Sequence, residues 1–173
     1  MAEAPEFSRP VRLDMIGGEA RRVTVEADTA ERAALARRFG LVDLARLTAE
    51  VSLTREGEVV RCEGRLEAMA TQACVASGEP VPAALTEDFA LRFVPEAEGA
   101  GDEEVELDAG DLDEIDYAGG AIDVGEAAAQ TLALALDPFP RAPGANAALR
   151  EAGVVGEEDV GPFAALKVLK GRS

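Results

Sequence analysis

The sequence predicts an α+β fold: an antiparallel sheet or small barrel, with two helices packed on it and a short C-terminal helix. Three observations carry the prediction. Three consecutive segments between Ala45 and Phe93 alternate apolar and polar residues, the period of strands with one buried face. Two other segments place apolar residues at helical spacing behind a capping-box pair, Asp28 with Glu31 and Asp123 with Glu126. Hydrophobic residues make up 47% of the 173 residues, which suffices for the core of a single domain.

The elements follow in order. FSRPVRLDMI and ARRVTVEA read as two short strands, and Gly17-Gly18 between them predicts a hairpin. A helix is predicted at about 30–39, with Ala34, Leu35 and Phe39 on one side and Gly40 as its stop. The first alternating strand sets Ala45, Leu47, Ala49, Val51 and Leu53 on its buried face. After REGE, a second buries Val60, Cys62, Gly64, Leu66, Ala68 and Ala70. After ASGEPVP, a third buries Val81, Ala83, Leu85, Phe89, Leu91 and Phe93, with Glu87 interrupting the face as at a bulge or an edge. Three such strands in a row imply an antiparallel meander with one solvated face.

From Pro95 to about Asp113 the chain is acidic and Gly-rich, which predicts a mobile loop, with EVELD as a brief strand within it. A helix at 124–136 carries the stripe Val124, Ala127, Ala128, Thr131, Leu132 and Ala135, and Asp137-Pro138 ends it. Residues from about 141 to 173 are expected to be irregular and loosely ordered, closing on the short helix GPFAALKVLKGRS. That segment holds the only lysines, Lys167 and Lys170. A helix so short is marginal alone, so it is expected to dock on its own domain or on a partner.

Charge limits the functional classes. The net charge is −17, and between Phe93 and Pro140 there are 14 carboxylates and no Lys or Arg. General binding to nucleic acid or to anionic membranes is disfavoured, because phosphates need basic side chains. A basic partner is favoured. Any direct grip on RNA needs a local basic patch, for which Arg21 with Arg22, Arg37 with Arg38, and Arg61 with Arg65 are the candidates. There is no His, which removes the usual general base and the commonest metal ligand.

Cys62 and Cys74 are too few for a disulfide framework, and their spacing is neither a redox nor a zinc motif. Both are expected to be buried structural thiols. Asp111, Asp113 and Asp116 supply oxygen ligands but break the spacing of an EF-hand. No metal or other cofactor is expected, and a carboxylate- or metal-dependent enzyme is the weakest alternative. The opening MAEAPEFSRPVRLDM lacks the apolar segment of a signal peptide, and no apolar run is long enough to span a membrane. A cytoplasmic protein is expected.

Three stretches together carry a family resemblance. LEAMATQACVASGEPVPAALTEDFALRF sets a Cys and a Pro-containing turn between strands. The acidic stretch leads into Ile122–Pro143, with its IDVGE helix start and LALALDPFPRAP. The third stretch is the terminal GPFAALKVLK. In order and spacing, over roughly residues 45–170, the sequence resembles the YceD family, the large ribosomal RNA subunit accumulation proteins. Many members carry a Cys-x-x-Cys pair at the strand end. Here the segment reads Thr71-Gln72-Ala73-Cys74, so only the second Cys remains.

The resemblance implies a bacterial, non-enzymatic factor for accumulation of large-subunit ribosomal RNA. The expected partner is a basic ribosomal protein or a pre-ribosomal large-subunit particle, with no small-molecule substrate. Glu103, Glu104, Glu106, Asp108, Asp111, Asp113, Glu114 and Asp116 are the acidic docking candidates. Phe163, Leu166, Lys167 and Lys170 form a second candidate contact. The alternative is direct RNA binding through the strand face that bears Arg61 and Arg65.

Overall fold

A computed structural model describes residues 5–96 and 113–151. Its elements run β1 (Pro10–Arg12), β2 (Arg21–Glu26), α1 (Thr29–Arg38), β3 (Asp43–Glu56), β4 (Val59–Ala73), β5 (Pro80–Pro95), β6 (Asp113–Tyr117), β7 (Ala121–Asp123), α2 (Val124–Ala135) and α3 (Ala145–Glu151). The fold is α+β. A five-stranded sheet has the order β2-β3-β4-β5-β6, and a two-stranded sheet joins β1 to β7. Among the described residues the larger sheet is open, with β2 and β6 as its outer strands, rather than closed into a barrel.

The meander forms because its alternation matches the pleat. Leu47, Ala49, Val51 and Leu53 of β3 and Val60, Cys62, Leu66, Ala68 and Ala70 of β4 are all buried. They share one core with Leu35 of α1 and with Val124, Ala127, Ala128 and Leu132 of α2. With few aromatics available, close approach takes the place of bulk. Gly64 of β4 lies under the ring of Phe89, its cross-strand partner on β5, and a Cβ there would meet the Glu50 carbonyl at 2.5 Å.

Five details differ from the sequence reading. The two N-terminal strands form, but not as a hairpin: β1 pairs with β7, and β2 with β3. A 3-10 turn at Leu13–Met15 and the Gly17-Gly18 stretch carry the chain between the two sheets. Arg55 fastens that passage, its N–H donating to Gly17 O at 2.7 Å and its Nη1 to Leu13 O at 2.9 Å. Ala45 is exposed and Leu44 buried, because a bulge between Leu44 and Arg46 shifts the alternation at the start of β3.

β6 and β7 were not expected. β6 is parallel to β5, so its partner precedes it across a long connection that no local turn signal marks. Ala145–Glu151 is a helix rather than irregular chain. Its small residues suit a helix, and Ala145 packs on Cys74, a contact that the sequence spacing hides. At Glu87 the β4–β5 register is unbroken, so the expected bulge does not form there. The expected loop, EVELD and the terminal helix lie outside the described residues.

The helices form where their caps predict. Asp28 and Glu31 complete a reciprocal capping box on α1. At its other end Gly40, with φ +65°, lets Leu41 N–H reach back to Ala36 O at 2.8 Å. Asp123 caps α2 by accepting from Glu126 N–H at 3.0 Å. The same carboxylate also accepts from Arg9 N–H at 2.8 Å and from the Ser8 hydroxyl at 2.5 Å.

Arg9 then grips Glu31 with two hydrogen bonds of 2.6 and 2.8 Å. Arg38, at the end of α1, grips Glu126 at 2.8 and 2.9 Å and Glu6 at 3.0 Å. The N-terminal segment, both helices and β7 are thereby clasped together. Bidentate, partly buried pairs of this kind are stronger than solvated ones.

Two outcomes test this account. A Cβ at Gly125 would sit 2.4 Å from Phe7 O and 2.9 Å from Arg9 N, whereas one at Gly120 meets nothing within 4 Å. Gly125→Ala should therefore lower unfolding stability in urea by about 1–3 kcal/mol. Gly120→Ala should stay within about 0.5 kcal/mol of wild type.

The second outcome concerns Glu31. The Arg9 hydrogen bonds hold its carboxyl below the usual carboxylate value of 4.5. Its contribution is complete above that value and fades as the pH falls through the lower folded-state value. Glu31→Gln should cost about 1–2 kcal/mol at about pH 7, and the gap to wild type should narrow at about pH 3.

Candidate functional site

DEIDY alternates acid and apolar residues, and β6 uses that alternation. Ile115 packs beside Phe93, and Tyr117 is buried with its hydroxyl donating to Glu58 O at 2.7 Å. Asp113, Glu114 and Asp116 are exposed on this strand rather than in a loop. They are not equivalent. Glu114 is in an ion pair of 2.9 Å with Arg92 on β5. Asp116 and Asp113 have no ion-pair partner among the described residues.

Asp116 lies at a cleft of about 310 Å³ between β6 and α2, which Phe93, Tyr117, Asp123, Glu126 and Gln130 also line. Asp123 and Glu126 are already committed to the clasp. The cleft therefore offers one unengaged carboxylate and no pair for proton transfer. No cluster of three or more potential metal ligands occurs among the described residues. Glu103, Glu104, Glu106, Asp108 and Asp111, and likewise Phe163, Leu166, Lys167 and Lys170, lie outside them.

The six candidate arginines fall on three elements rather than in one patch. Arg21 and Arg22 are on β2, where Arg21 donates to Met15 O. Arg37 and Arg38 end α1, and Arg38 belongs to the clasp. Arg61 and Arg65 share the outer face of β4. Arg65 is held by Asp88 through bonds of 2.8 and 3.1 Å. On the same face Arg46 pairs with Glu67 at 3.4 Å.

Arg61 stands opposite Thr54 and Arg92 and has no ion-pair partner among the described residues. Arg92 spends one nitrogen on Glu114 while its Nε is buried with no partner. The structure thus sets Arg92 beside Arg61, a pairing that only the strand register reveals. Arg46, Arg65 and Arg92 on this face are each paired with a carboxylate of the same sheet.

Cys62 and Cys74 are both buried and free, but their surroundings differ. Burial in the apolar core pushes the Cys62 thiol up to about 12. Cys74 sits in the β4–β5 turn, where its Sγ accepts the Ala142 N–H at 3.3 Å. That N–H and the Ser77 side chain bring its thiol down to about 7. Backbone N–H groups do here what a nearby cation would otherwise do. A charge-based reading of the sequence misses them, because residue 142 is far from Cys74 along the chain.

Val75 N–H also donates to Pro140 O, at 2.9 Å, and Gln72 Nε2 donates to Asp137 O, at 2.8 Å. The segment DPFPRA is thus fastened to the turn that carries Cys74. Its Phe139 remains exposed, as does Leu134 of α2.

The family model described as large ribosomal RNA subunit accumulation protein YceD matches residues 62–170, well over half of the chain. The chain belongs to the YceD family. No curated protein and no solved structure matches it.

The YceD match begins inside β4 and takes in β5, β6, β7, α2 and α3, with the Cys74 turn and the DPFPRA segment that docks on it. Arg9, Glu31 and Arg38 lie ahead of the match, whereas Asp123 and Glu126, which complete their clasp, lie within it. No helix among the described residues is long and apolar enough to cross a membrane.

The two thiols supply a direct check. Thiolate absorption should show one group titrating with a midpoint of about 7. Cys74→Ser should remove that step, and Cys62→Ser should leave it in place.

Proposed function

We propose that this YceD-family chain is a non-enzymatic, cytoplasmic factor for accumulation of large-subunit ribosomal RNA. It acts by binding a basic ribosomal protein, or a nascent complex of such a protein with rRNA, through its acidic surface. The observation that carries this reading is the partition of charge. The arginines of the outer sheet face and of the clasp are largely spent on internal carboxylates. The acidic stretch has no Lys or Arg in its neighbourhood of the sequence. Unspent negative charge attracts cations over a distance set by the ionic strength.

Within β6 the unengaged candidates are Asp113 and Asp116, and Glu103, Glu104, Glu106, Asp108 and Asp111 precede them in the sequence. Glu114 is a lesser contributor, because it already neutralises Arg92. The terminal Phe163, Leu166, Lys167 and Lys170 are a second contact. Direct rRNA contact is the alternative, and the unspent Arg61 beside Arg92 is what favours it.

The test is retention of ribosomal proteins and pre-ribosomal particles by the immobilised full chain. The comparison is wild type against a chain with Glu103, Glu104, Glu106, Asp108, Asp111, Asp113 and Asp116 changed to amides and Glu114 left intact. Retention should fall severalfold in the neutralised chain and in high salt. Equal retention by both chains would remove the acidic docking reading. A complex that instead needs Arg61 and contains RNA alone would establish the alternative.

A further inference from the structure

The cleft of about 310 Å³ between β6 and α2 is built by two periodicities. Asp123, Glu126, Ala127 and Gln130 recur at i, i+3, i+4 and i+7, so they share one side at the start of α2. Ile115 and Tyr117 alternate with Asp116 along β6, and Ile115 lies beside Phe93 of β5. Phe93, Tyr117 and Ala127 are buried and make an apolar floor, which half-buried Ile115 and Ala121 extend. Ala118 and Gln130 are exposed and mark the mouth. Small-molecule sites span roughly 300–1,000 Å³. At the lower end of that range, the cleft has room for one long side chain but not for a helix.

The charge in the cleft is negative. Among the described residues none that lines it is basic. Glu126 gives both oxygens to Arg38, and its charge is matched. The Asp123 carboxylate is bonded differently. It accepts from the Ser8 hydroxyl, from Arg9 N–H and from Glu126 N–H, all of them neutral donors. They fill its lone pairs and leave its charge in place, while the Arg9 guanidinium is bonded to Glu31. The start of α2 offsets about half a unit of that charge. Asp116 adds a full unit, exposed on β6. The sum stays negative beside an apolar floor.

That combination selects a ligand class. An anion would meet Asp116 and Asp123. A neutral apolar group would cover the floor but strip water from the carboxylates without replacing it. A small metal ion would leave the floor uncovered, and no group of three or more potential ligands occurs among the described residues. A long aliphatic stem that ends in a cation matches both parts, its stem on the floor and its head at the carboxylates. Lysine and arginine side chains have that form.

We infer that this cleft seats one lysine or arginine side chain of the basic protein partner. Its stem lies against Ile115, Ala121 and Ala127, and its cation stands at Asp116 and Asp123. The inference rests on the reading that the partner is a basic protein, and it adds where one of that partner's side chains is held.

The test uses the full chain with ¹³C-labelled alanine methyls and two peptides, acetyl-Gly-Ser-Lys-Ser-Gly-amide and the same peptide with norleucine for Lys. The Lys peptide should shift the Ala118, Ala121 and Ala127 methyls, and its side-chain CH₂ groups should show contacts with them. The norleucine peptide should shift them about threefold less at equal concentration, as expected for one solvent-facing charge pair. Ala118→Leu fills the mouth without changing charge and should abolish the contacts, whereas Ala118→Gly should keep them. Asp116→Asn, also at an exposed position, should weaken the Lys peptide about threefold and leave the norleucine peptide unchanged.

Contacts of Lys167 or Lys170 with these methyls in the free chain would overturn the inference, because the chain itself would then fill the cleft. Methyl shifts that grow with protein concentration alone would overturn it in favour of a second copy. Equal binding of both peptides, or Lys-peptide contacts that survive Ala118→Leu, would also overturn it. So would Lys-peptide shifts confined to the Ala109 methyl of the acidic stretch. Retention of a basic ribosomal protein undiminished by Ala118→Leu would sink the cleft seat and leave the proposed function standing. Lys-peptide contacts in the cleft together with capture of RNA alone would do the reverse.

Discussion

The Asp123 carboxylate is the constraint on which the arrangement of this molecule depends. It satisfies an otherwise open N–H at the start of α2, and it receives the backbone of Arg9 and the hydroxyl of Ser8. These bonds fix β1 against β7, and they bring Gly125 so close to the Phe7 carbonyl that no side chain fits between. Arg9 and Arg38 then tie the two ends of α1 to the same corner. With the helices held there, the apolar stripe of α2 meets the inner faces of β4 and β5, and the cleft beside β6 acquires its wall.

This arrangement also explains how a chain with a net charge of −17 sustains a compact core. Arg9, Arg38 and Arg65 do structural work, each in a bidentate pair that bridges elements distant in sequence. On β6, Asp113 and Asp116 have no ion-pair partner among the described residues, and the sequence before them is rich in carboxylates. Matched pairs hold the fold, and the proposed function turns on the negative charge left unmatched. Membership of the YceD family suggests involvement in large ribosomal RNA subunit accumulation.

Much of the fold was legible because its signals are local. Alternation marked the three long strands, and the capping pairs Asp28–Glu31 and Asp123–Glu126 marked both main helices to within a residue or two. Elements whose cause is distant were illegible. β6 is stabilised by a parallel neighbour across a long connection, β7 by a strand near the other terminus, and α3 by the sulfur-bearing turn at Cys74. The site followed the same rule. Acid residues could be counted in the sequence, but not that Glu114 belongs to Arg92, or that Arg65 belongs to Asp88.

Two facts about this protein needed only its sequence. The periodicity of its apolar residues dictates which elements form, since a two-residue or 3.6-residue repeat buries a face in only one kind of structure. Its composition dictates an acidic surface without imidazole chemistry. Tertiary structure decided the pairings: which strand lies beside which, which carboxylates are spent, and what lowers one thiol and raises the other. The reason is physical. Periodicity is a property of neighbours along the chain, whereas ion pairs and N–H to sulfur bonds exist only between groups that folding brings together.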